Sequence, residues 1–177
     1  FNMSNLRLLN VTSVTSGVAS VSVTDVFTDD FDVYKIVFTD MEIETESYNE
    51  MRFINSSGSV VSLGLYENAT EGIYSFTFYG QGRGTGDTKI EYLTYLYPNS
   101  YDDGNGNVLY IFNPTNPLSY THVIHQGSGV ANGVGFYNFK GIGVLKELSD
   151  ITGFQLFRET GNINNLKLKV YGIRVDV

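Results

Sequence analysis

The sequence contains no cysteine and no tryptophan among its 177 residues, and it has only three prolines. Without cysteine, neither a disulfide framework nor thiol chemistry is possible. Without tryptophan, the core depends on aliphatic side chains and on the rings of 13 tyrosines and 12 phenylalanines. Apolar runs are short, as at residues 108–112, and none approaches the ~18 apolar residues of a membrane-spanning helix. We therefore expect no membrane insertion.

Basic residues are also scarce, with 11 Lys and Arg against 19 Asp and Glu, giving a net charge of −8. The acidic residues cluster in residues 25–50, where the single base is Lys35. The chain lacks a Lys/Arg cluster that could attract a phosphate backbone, so no nucleic-acid partner is expected. We expect residues 25–50 to form an exposed acidic surface that carries nearly all of the net charge.

Three glutamates within this segment occupy alternate positions, so that an extended chain would align their carboxylates on one face: Glu42, Glu44 and Glu46. We call them the acidic strip. Like charges in a row are unfavourable unless they are solvated or paired. A solvated edge that discourages edge-to-edge pairing is the main interpretation. A cation site or a contact with a basic partner is the alternative.

Period-two alternation of apolar and polar residues recurs along the whole chain and predicts about eleven short strands separated by Gly, Asn, Asp and Ser. Short strands at this spacing are typical of an all-β fold, an antiparallel two-layer β-sandwich resembling a jelly roll. We expect one domain over residues 1–177, with residues 1–10 as a candidate extended arm. The side chains predicted to lie inside are Ile36, Phe38, Phe53, Phe76, Phe78, Phe154, Leu156, Leu166 and Leu168.

Several strand assignments are specific enough to be checked. Residues 11–15 and 18–23 are expected to pair with each other, and residues 51–54 are expected to form a hairpin with 59–63. A further strand is predicted over residues 73–79. Only residues 141–152 have apolar spacing compatible with a short helical turn, and their length argues against it.

The glycine-rich stretch 80–87 invites a phosphate-loop interpretation, because closely spaced glycines free backbone N–H groups to surround an anion. The glycine spacing does not fit, and a strand is expected to follow where a helix would be required. A mobile hairpin tip is the preferred interpretation.

Residues 103–107 place oxygen-bearing side chains at alternate positions, as a calcium loop does, but the expected glycine and bidentate glutamate are absent. A Gly/Asn turn is preferred, with a weak cation site as the alternative. The two histidines, His122 and His125, lie three apart on a predicted strand and therefore face opposite sides, so they are not expected to chelate a metal together.

Tyrosines outside the alternating cores suggest a surface that contacts sugar or protein. Its predicted members are Tyr95, Tyr97, Tyr101, Asp102, Asp103 and Asn105. No catalytic residue, metal ligand or cofactor is predicted.

Two groups of segments resemble the β-sandwich modules of tailed-bacteriophage virion proteins, which include tail fibre, appendage and capsid-surface components. The matching residues cover about a third of the chain, near its start and at its end: 33–38 (VYKIVF), 51–53 (MRF), 56–60 (SSGSV), 151–156 (ITGFQL), 160–163 (TGNI) and 166–173 (LKLKVYGI). The resemblance implies a jelly-roll module on the virion surface, and it carries over no catalytic residue.

The leading hypothesis is therefore a non-enzymatic structural protein that decorates the capsid or belongs to a tail fibre or appendage. It would contact other virion proteins and form a homo-oligomer, with a trimer favoured. A second hypothesis is a module that binds host surface glycans through the tyrosine surface. A third is a glycan-degrading enzyme that uses two of the carboxylates.

Overall fold

The computed structural model describes residues 5–77, 80–98, 105–131 and 135–174. In this part of the chain all regular structure is β-strand, which confirms the all-β class. The twelve strands are β1 (Leu6–Val14), β2 (Ser20–Val23), β3 (Val33–Ile43), β4 (Ser47–Asn55), β5 (Tyr66–Tyr74), β6 (Gly80–Asp87), β7 (Ile90–Leu96), β8 (Gly106–Phe112), β9 (Thr121–Ala131), β10 (Gly135–Leu145), β11 (Ile151–Arg158) and β12 (Ile163–Ile173). None of the described residues belongs to a helix long and apolar enough to cross a membrane.

The strands form two antiparallel sheets that pack as the predicted sandwich. The larger sheet has eight strands in the order β1-β12-β3-β8-β9-β10-β5-β6, and the smaller has four in the order β2-β11-β4-β7. Every adjacent pair in both sheets is antiparallel.

Eight of the strands follow the connectivity of a jelly roll. We number these eight strands from one to eight in chain order: β1, β2, β3, β4, β7, β8, β11 and β12. In this numbering the larger sheet has the order one, eight, three, six, and the smaller sheet has the order two, seven, four, five. The other four strands form two inserted hairpins, β5–β6 and β9–β10, which extend the larger sheet beyond β8. We call these four strands the extension.

Alternation along the strands places the core between the sheets. Seven of the nine predicted core residues are fully buried there: Ile36, Phe38, Phe53, Phe154, Leu156, Leu166 and Leu168. Phe76 is only half-buried, because β5 ends at Tyr74 and the chain bends before Phe76. Phe78 lies outside the described residues.

Three other assignments are wrong in detail. Residues 6–10 are not an arm, since they form the first half of β1 and pair with β12. The strands assigned to 11–15 and 18–23 belong to different sheets and do not pair with each other. Residues 59–63 meet β4 through a single bridge between Ile54 and Val60, so they do not form the second strand of a hairpin.

The glycine-rich stretch is the edge strand β6 and not a hairpin tip. Two of its alternate glycines lie beside aromatic rings. A Cβ at Gly82 would lie 2.8 Å from the Tyr92 ring, and one at Gly80 would lie 3.5 Å from the Tyr74 ring, an ordinary contact. Gly82 thus gives the Tyr92 ring room to pack against the strand. Residues 141–145, the first part of the segment whose spacing is compatible with a helical turn, complete β10, which agrees with the argument from length against a helix.

Candidate functional site

The acidic strip lies at the connection between β3 and β4, and its three carboxylates are exposed. It is not a strand face, because β3 ends at Ile43 and only Glu42 lies within the strand. Glu44 accepts a hydrogen bond from the Asn162 backbone N–H at 3.1 Å. Glu46 instead lines a pocket that is described below.

One carboxylate of the acidic segment departs from the prediction that residues 25–50 are all exposed. Glu50 is buried, with 3% of its surface accessible, and accepts a hydrogen bond from Lys89 Nζ at 2.7 Å. Burial raises the pKa of Glu50, while Lys89 acts in the opposite direction. The exposed acidic surface therefore excludes Glu50.

Two of the predicted contact residues, Tyr95 and Tyr97, belong to a closed ring of aromatic side chains. The ring continues in order through Tyr137 and Phe139 of β10 and Tyr48 of β4, and back to Tyr95. Starting from Tyr95, successive ring centroids are 5.1, 6.2, 5.8, 6.2 and 4.7 Å apart. The ring joins the two sheets, and β7, which bears Tyr95, is an edge strand of the smaller sheet.

The aromatic ring borders an open pocket of about 370 Å³, which we call the tyrosine pocket. The described residues of its lining are Glu46, Tyr48, Tyr74, Tyr95, Tyr97, Tyr137 and Phe139. Burial raises the pKa values of Tyr95 and Tyr97, and the negative charge of Glu46 raises them further. The structure thus brings two predicted tyrosines and one residue of the acidic strip into a single site.

Of the remaining predicted contact residues, Asn105 does not line this pocket. Asn105 is used within the fold, where its Nδ2 donates to the Met41 carbonyl at 2.8 Å. This bond ties the start of β8 to β3. Tyr101, Asp102 and Asp103 lie outside the described residues.

The histidines face opposite sides of β9, as predicted. His122 is exposed, whereas His125 is buried between the sheets, with its Nε2 3.2 Å from Thr70 Oγ1. Burial lowers the pKa of His125 to about 4, so this side chain is neutral at pH 7. In the described part of the chain, no three His, Asp or Glu side chains are grouped so as to hold a metal ion.

The outer face of the eight-stranded sheet, the side turned away from the smaller sheet, carries an unusual share of exposed apolar side chains. Eleven large apolar residues are exposed in the described part of the chain. Four lie in connections: Leu63, Leu118, Tyr120 and Leu148. The other seven lie on the outer face: Leu6, Leu8, Val11, Ile73, Ile124, Phe136 and Ile142.

Cross-strand register aligns one row of side chains across all eight strands of this face. In sheet order from β1 to β6, the row is Leu8, Tyr171, Lys35, Tyr110, Ile124, Ile142, Ala69 and Arg83. Its middle is apolar, with Ile124 50% exposed and Ile142 60% exposed. The neighbouring row is more polar over the extension, where it presents Gln126, Lys140, Glu71 and Gln81.

A groove of about 950 Å³ runs between these two rows over β8 and the extension. Its five strands span roughly 19 Å at the usual strand spacing of about 4.8 Å. Glu71 is the single carboxylate among the groove's described lining residues, and it pairs with Lys140 at 3.1 Å. The groove therefore offers amide, basic and apolar groups, without the two carboxylates of a glycosidase.

Sequence reasoning missed most of both sites. Tyr137 and Phe139 alternate on β10, and this was the available signal for an aromatic surface there. The sequence around Tyr48 did not indicate that it belongs to the aromatic ring, because its place there depends on the pairing of Tyr48 with Tyr95 across β4 and β7.

The chain matches no family model and no curated protein. Two solved structures show distant similarity. The alginate lyase Aly36B in complex with an alginate trisaccharide shares 9% identity at a TM-score of 0.29, over 96% of this chain and 88% of that one. The VP2 subviral particle of infectious bursal disease virus shares 11% identity at a TM-score of 0.14, over 97% of this chain and 41% of that one. Similarity this low bears on neither fold nor function.

Proposed function

We propose that the protein is a non-enzymatic structural subunit of a tailed-phage virion surface that acts through protein–protein contacts made by the outer face. The observation that carries the proposal is the concentration of exposed apolar side chains on that face. Exposed apolar side chains that adjoin one another, as Ile124 and Ile142 do across β9 and β10, form the kind of patch that marks interaction sites. The resemblance to virion modules supports the location, with capsid decoration, tail fibre and appendage as the candidate positions.

The segments that carry this resemblance form β3, β4, β11 and β12 together with the connections beside them, and all four strands belong to the jelly-roll set. The extension lies outside them and supplies most of the groove. In this proposal the jelly roll is a scaffold shared with virion modules, and the extension gives this chain its own contact surface.

Assembly is tested by the oligomeric state of the isolated chain and of two matched variants. Phe136→Ser with Ile142→Ser removes two exposed apolar side chains from the outer face without touching the core. Leu118→Ser with Leu148→Ser removes two side chains that are comparably exposed but lie in connections. Analytical ultracentrifugation at micromolar concentration should show an oligomer, with a trimer expected, that is weakened only by the first variant.

Two outcomes would count against assembly through this face. One is a strictly monomeric chain that binds no capsid or fibre protein. The other is an oligomer that both double variants weaken equally, because the outer face would then have no special part in it.

A glycan-binding role is the second candidate, and the groove is the observation that favours it. The long axis of the groove crosses five strands, and its polar row offers amide and ammonium groups that hydrogen-bond sugar hydroxyls or carboxylates. A glycan array separates the two candidates. Binding that is lost in Arg83→Ala and Gln126→Ala, with the oligomeric state unchanged, would favour the glycan role over the assembly role.

A further inference from the structure

The tyrosine pocket is an aromatic cage in composition, because six of its seven described lining residues are aromatic. Neighbouring rings around such a pocket are steeply inclined to one another, whereas stacked rings lie near 0°. The five neighbouring ring pairs meet at 72°, 70°, 53°, 77° and 80°. A regular pentagon with their mean centroid spacing has its centre about 5 Å from each corner, within the ~6 Å reach of a cation–π contact.

The charge around the cage is negative. Glu46 belongs to the lining, and its charge raises the pKa of both Tyr95 and Tyr97. Glu159 acts in the same direction on Tyr48 and Tyr95. None of the described lining residues is basic.

Arg158 is a base whose charge acts on Tyr137 and Tyr95 of the cage, and its guanidinium already has hydrogen-bond partners. It is buried, and its guanidinium donates to the Asn49 side chain and to Ser47 Oγ. Burial lowers its pKa to about 10, so it remains charged at neutral pH. Because Arg158 is not among the described lining residues, it offsets part of the negative charge without occupying the pocket.

The chemistry of this lining selects one class of ligand. A metal ion needs several oxygen or nitrogen donors, and the cage offers one carboxylate among neutral rings. A sugar stacks on a single exposed ring face, whereas these rings border the pocket on several sides. The face of an aromatic ring carries negative partial charge and is also apolar. It therefore favours a cation whose charge is spread over several atoms. A volume of about 370 Å³ leaves room for an ammonium or guanidinium group and part of the chain that bears it.

We propose that the tyrosine pocket binds an organic cation, held by the aromatic rings of its lining and by the carboxylate of Glu46. Two sources supply such a group. One is a small quaternary ammonium compound of the choline type, and the other is the Lys or Arg side chain of a protein partner. The proposal is independent of assembly through the outer face, because the two surfaces share none of these residues.

The test is a titration of the whole chain that is monitored by two-dimensional amide NMR. The probes are choline chloride, Nα-acetyl-lysine amide and Nα-acetyl-arginine amide. The matched control is 3,3-dimethyl-1-butanol, which replaces the quaternary nitrogen of choline with carbon and carries no charge. Sodium chloride at equal ionic strength controls for general salt effects. Saturable shifts centred on the cage are expected with at least one cation, and binding of the neutral control should be at least tenfold weaker.

Three variants identify the groups responsible. Tyr97→Leu removes one wall and should weaken cation binding about fivefold or more, while Tyr97→Phe keeps the wall and should bind like the parent chain. Glu46→Gln removes the carboxylate from an exposed position, where folding should be unaffected, and should weaken binding severalfold. It also tests the proposal independently if Tyr97→Leu fails to fold.

The three cationic probes distinguish the two sources of the ligand. Tighter binding of choline indicates a small quaternary ammonium ligand, and tighter binding of a Lys or Arg amide indicates a protein side chain. Equal binding of the neutral control, or no saturable response to any of the three cations up to about 50 mM, would overturn the proposal, since a cation–π cage requires the charge.

Discussion

Replacing Tyr66 by Phe should destabilise the fold far more than the loss of one oxygen atom suggests. The Tyr66 side chain is fully buried, and its ring stacks on Phe53 with centroids 6.4 Å apart. Its hydroxyl accepts a hydrogen bond from the Phe53 N–H and donates one to the Val61 carbonyl, both at 2.9 Å. One hydroxyl thus serves two backbone groups in the interior.

The magnitude follows from the two groups that lose their partner. A buried donor or acceptor left without a hydrogen bond costs about 1–3 kcal/mol. Phenylalanine fills the same space, so no large cavity term is added. We expect a loss of about 2–4 kcal/mol, which corresponds to a fall in Tm of roughly 5 to 12 °C for a chain of this length.

Urea denaturation is the direct assay, because it separates the midpoint from the slope m. Tyr66→Phe should lower the midpoint while leaving m unchanged. Tyr110→Phe, on the outer face, is the matched control and should change the free energy of unfolding by no more than about 0.5 kcal/mol. A loss below about 0.5 kcal/mol for Tyr66→Phe would refute the reasoning, because it would show that the two backbone groups do not depend on this hydroxyl.

Three further predictions address the core, the acidic strip and the buried histidine. Truncating the fully buried Phe154 to Ala should cost about 3–5 kcal/mol in urea denaturation, whereas Phe136→Ala on the outer face should cost little. Replacing all three glutamates of the acidic strip by Gln should leave the free energy of unfolding unchanged or slightly higher, because like charges are removed. A large loss would show that these carboxylates are paired or bind a cation. The pKa of His125 is depressed to about 4, so its protonation favours the unfolded chain. The contribution of neutral His125 to the free energy of unfolding is fully present above about pH 6.5. This contribution should fall by about 3 kcal/mol as the pH drops toward 4. Unfolding measured across this range should show that His125→Gln lacks this part of the pH dependence, and parallel curves for the two proteins would contradict the assignment.

The jelly-roll strands could be predicted from the sequence, because their alternation has a strong physical cause. Residues such as Phe38 and Leu168 are neighbours across β3 and β12 and are fully buried, so each strand must alternate to keep one face in the core. Strand β6 could not be predicted in this way. Its glycines resemble a turn, and only the folded structure shows the Tyr92 ring that leaves no room for a Cβ at Gly82.

The tyrosine pocket was predictable only in part, for a related reason. Tyr95 and Tyr97 alternate within one segment and were visible as a pair. The ring closes through the β4–β7 register, which is irregular between Asn49 and Met51, and Tyr92 of β7 has a φ of 59°. An irregularity of this kind changes which side chains meet across the strands, and alternation alone does not reveal it.

The order of strands in the extension gives the molecule a graded stability. β6 pairs only with β5, and β5 reaches the rest of its sheet through β10. We therefore expect local opening of the larger sheet on this side to begin at β6 and to proceed inward through β5 and β10. Regions of low local stability are where proteins adapt to partners with little loss elsewhere. Because β10 carries two walls of the tyrosine pocket and part of the groove floor, occupation of either site would oppose this opening, and the occupied protein would be the more rigid one.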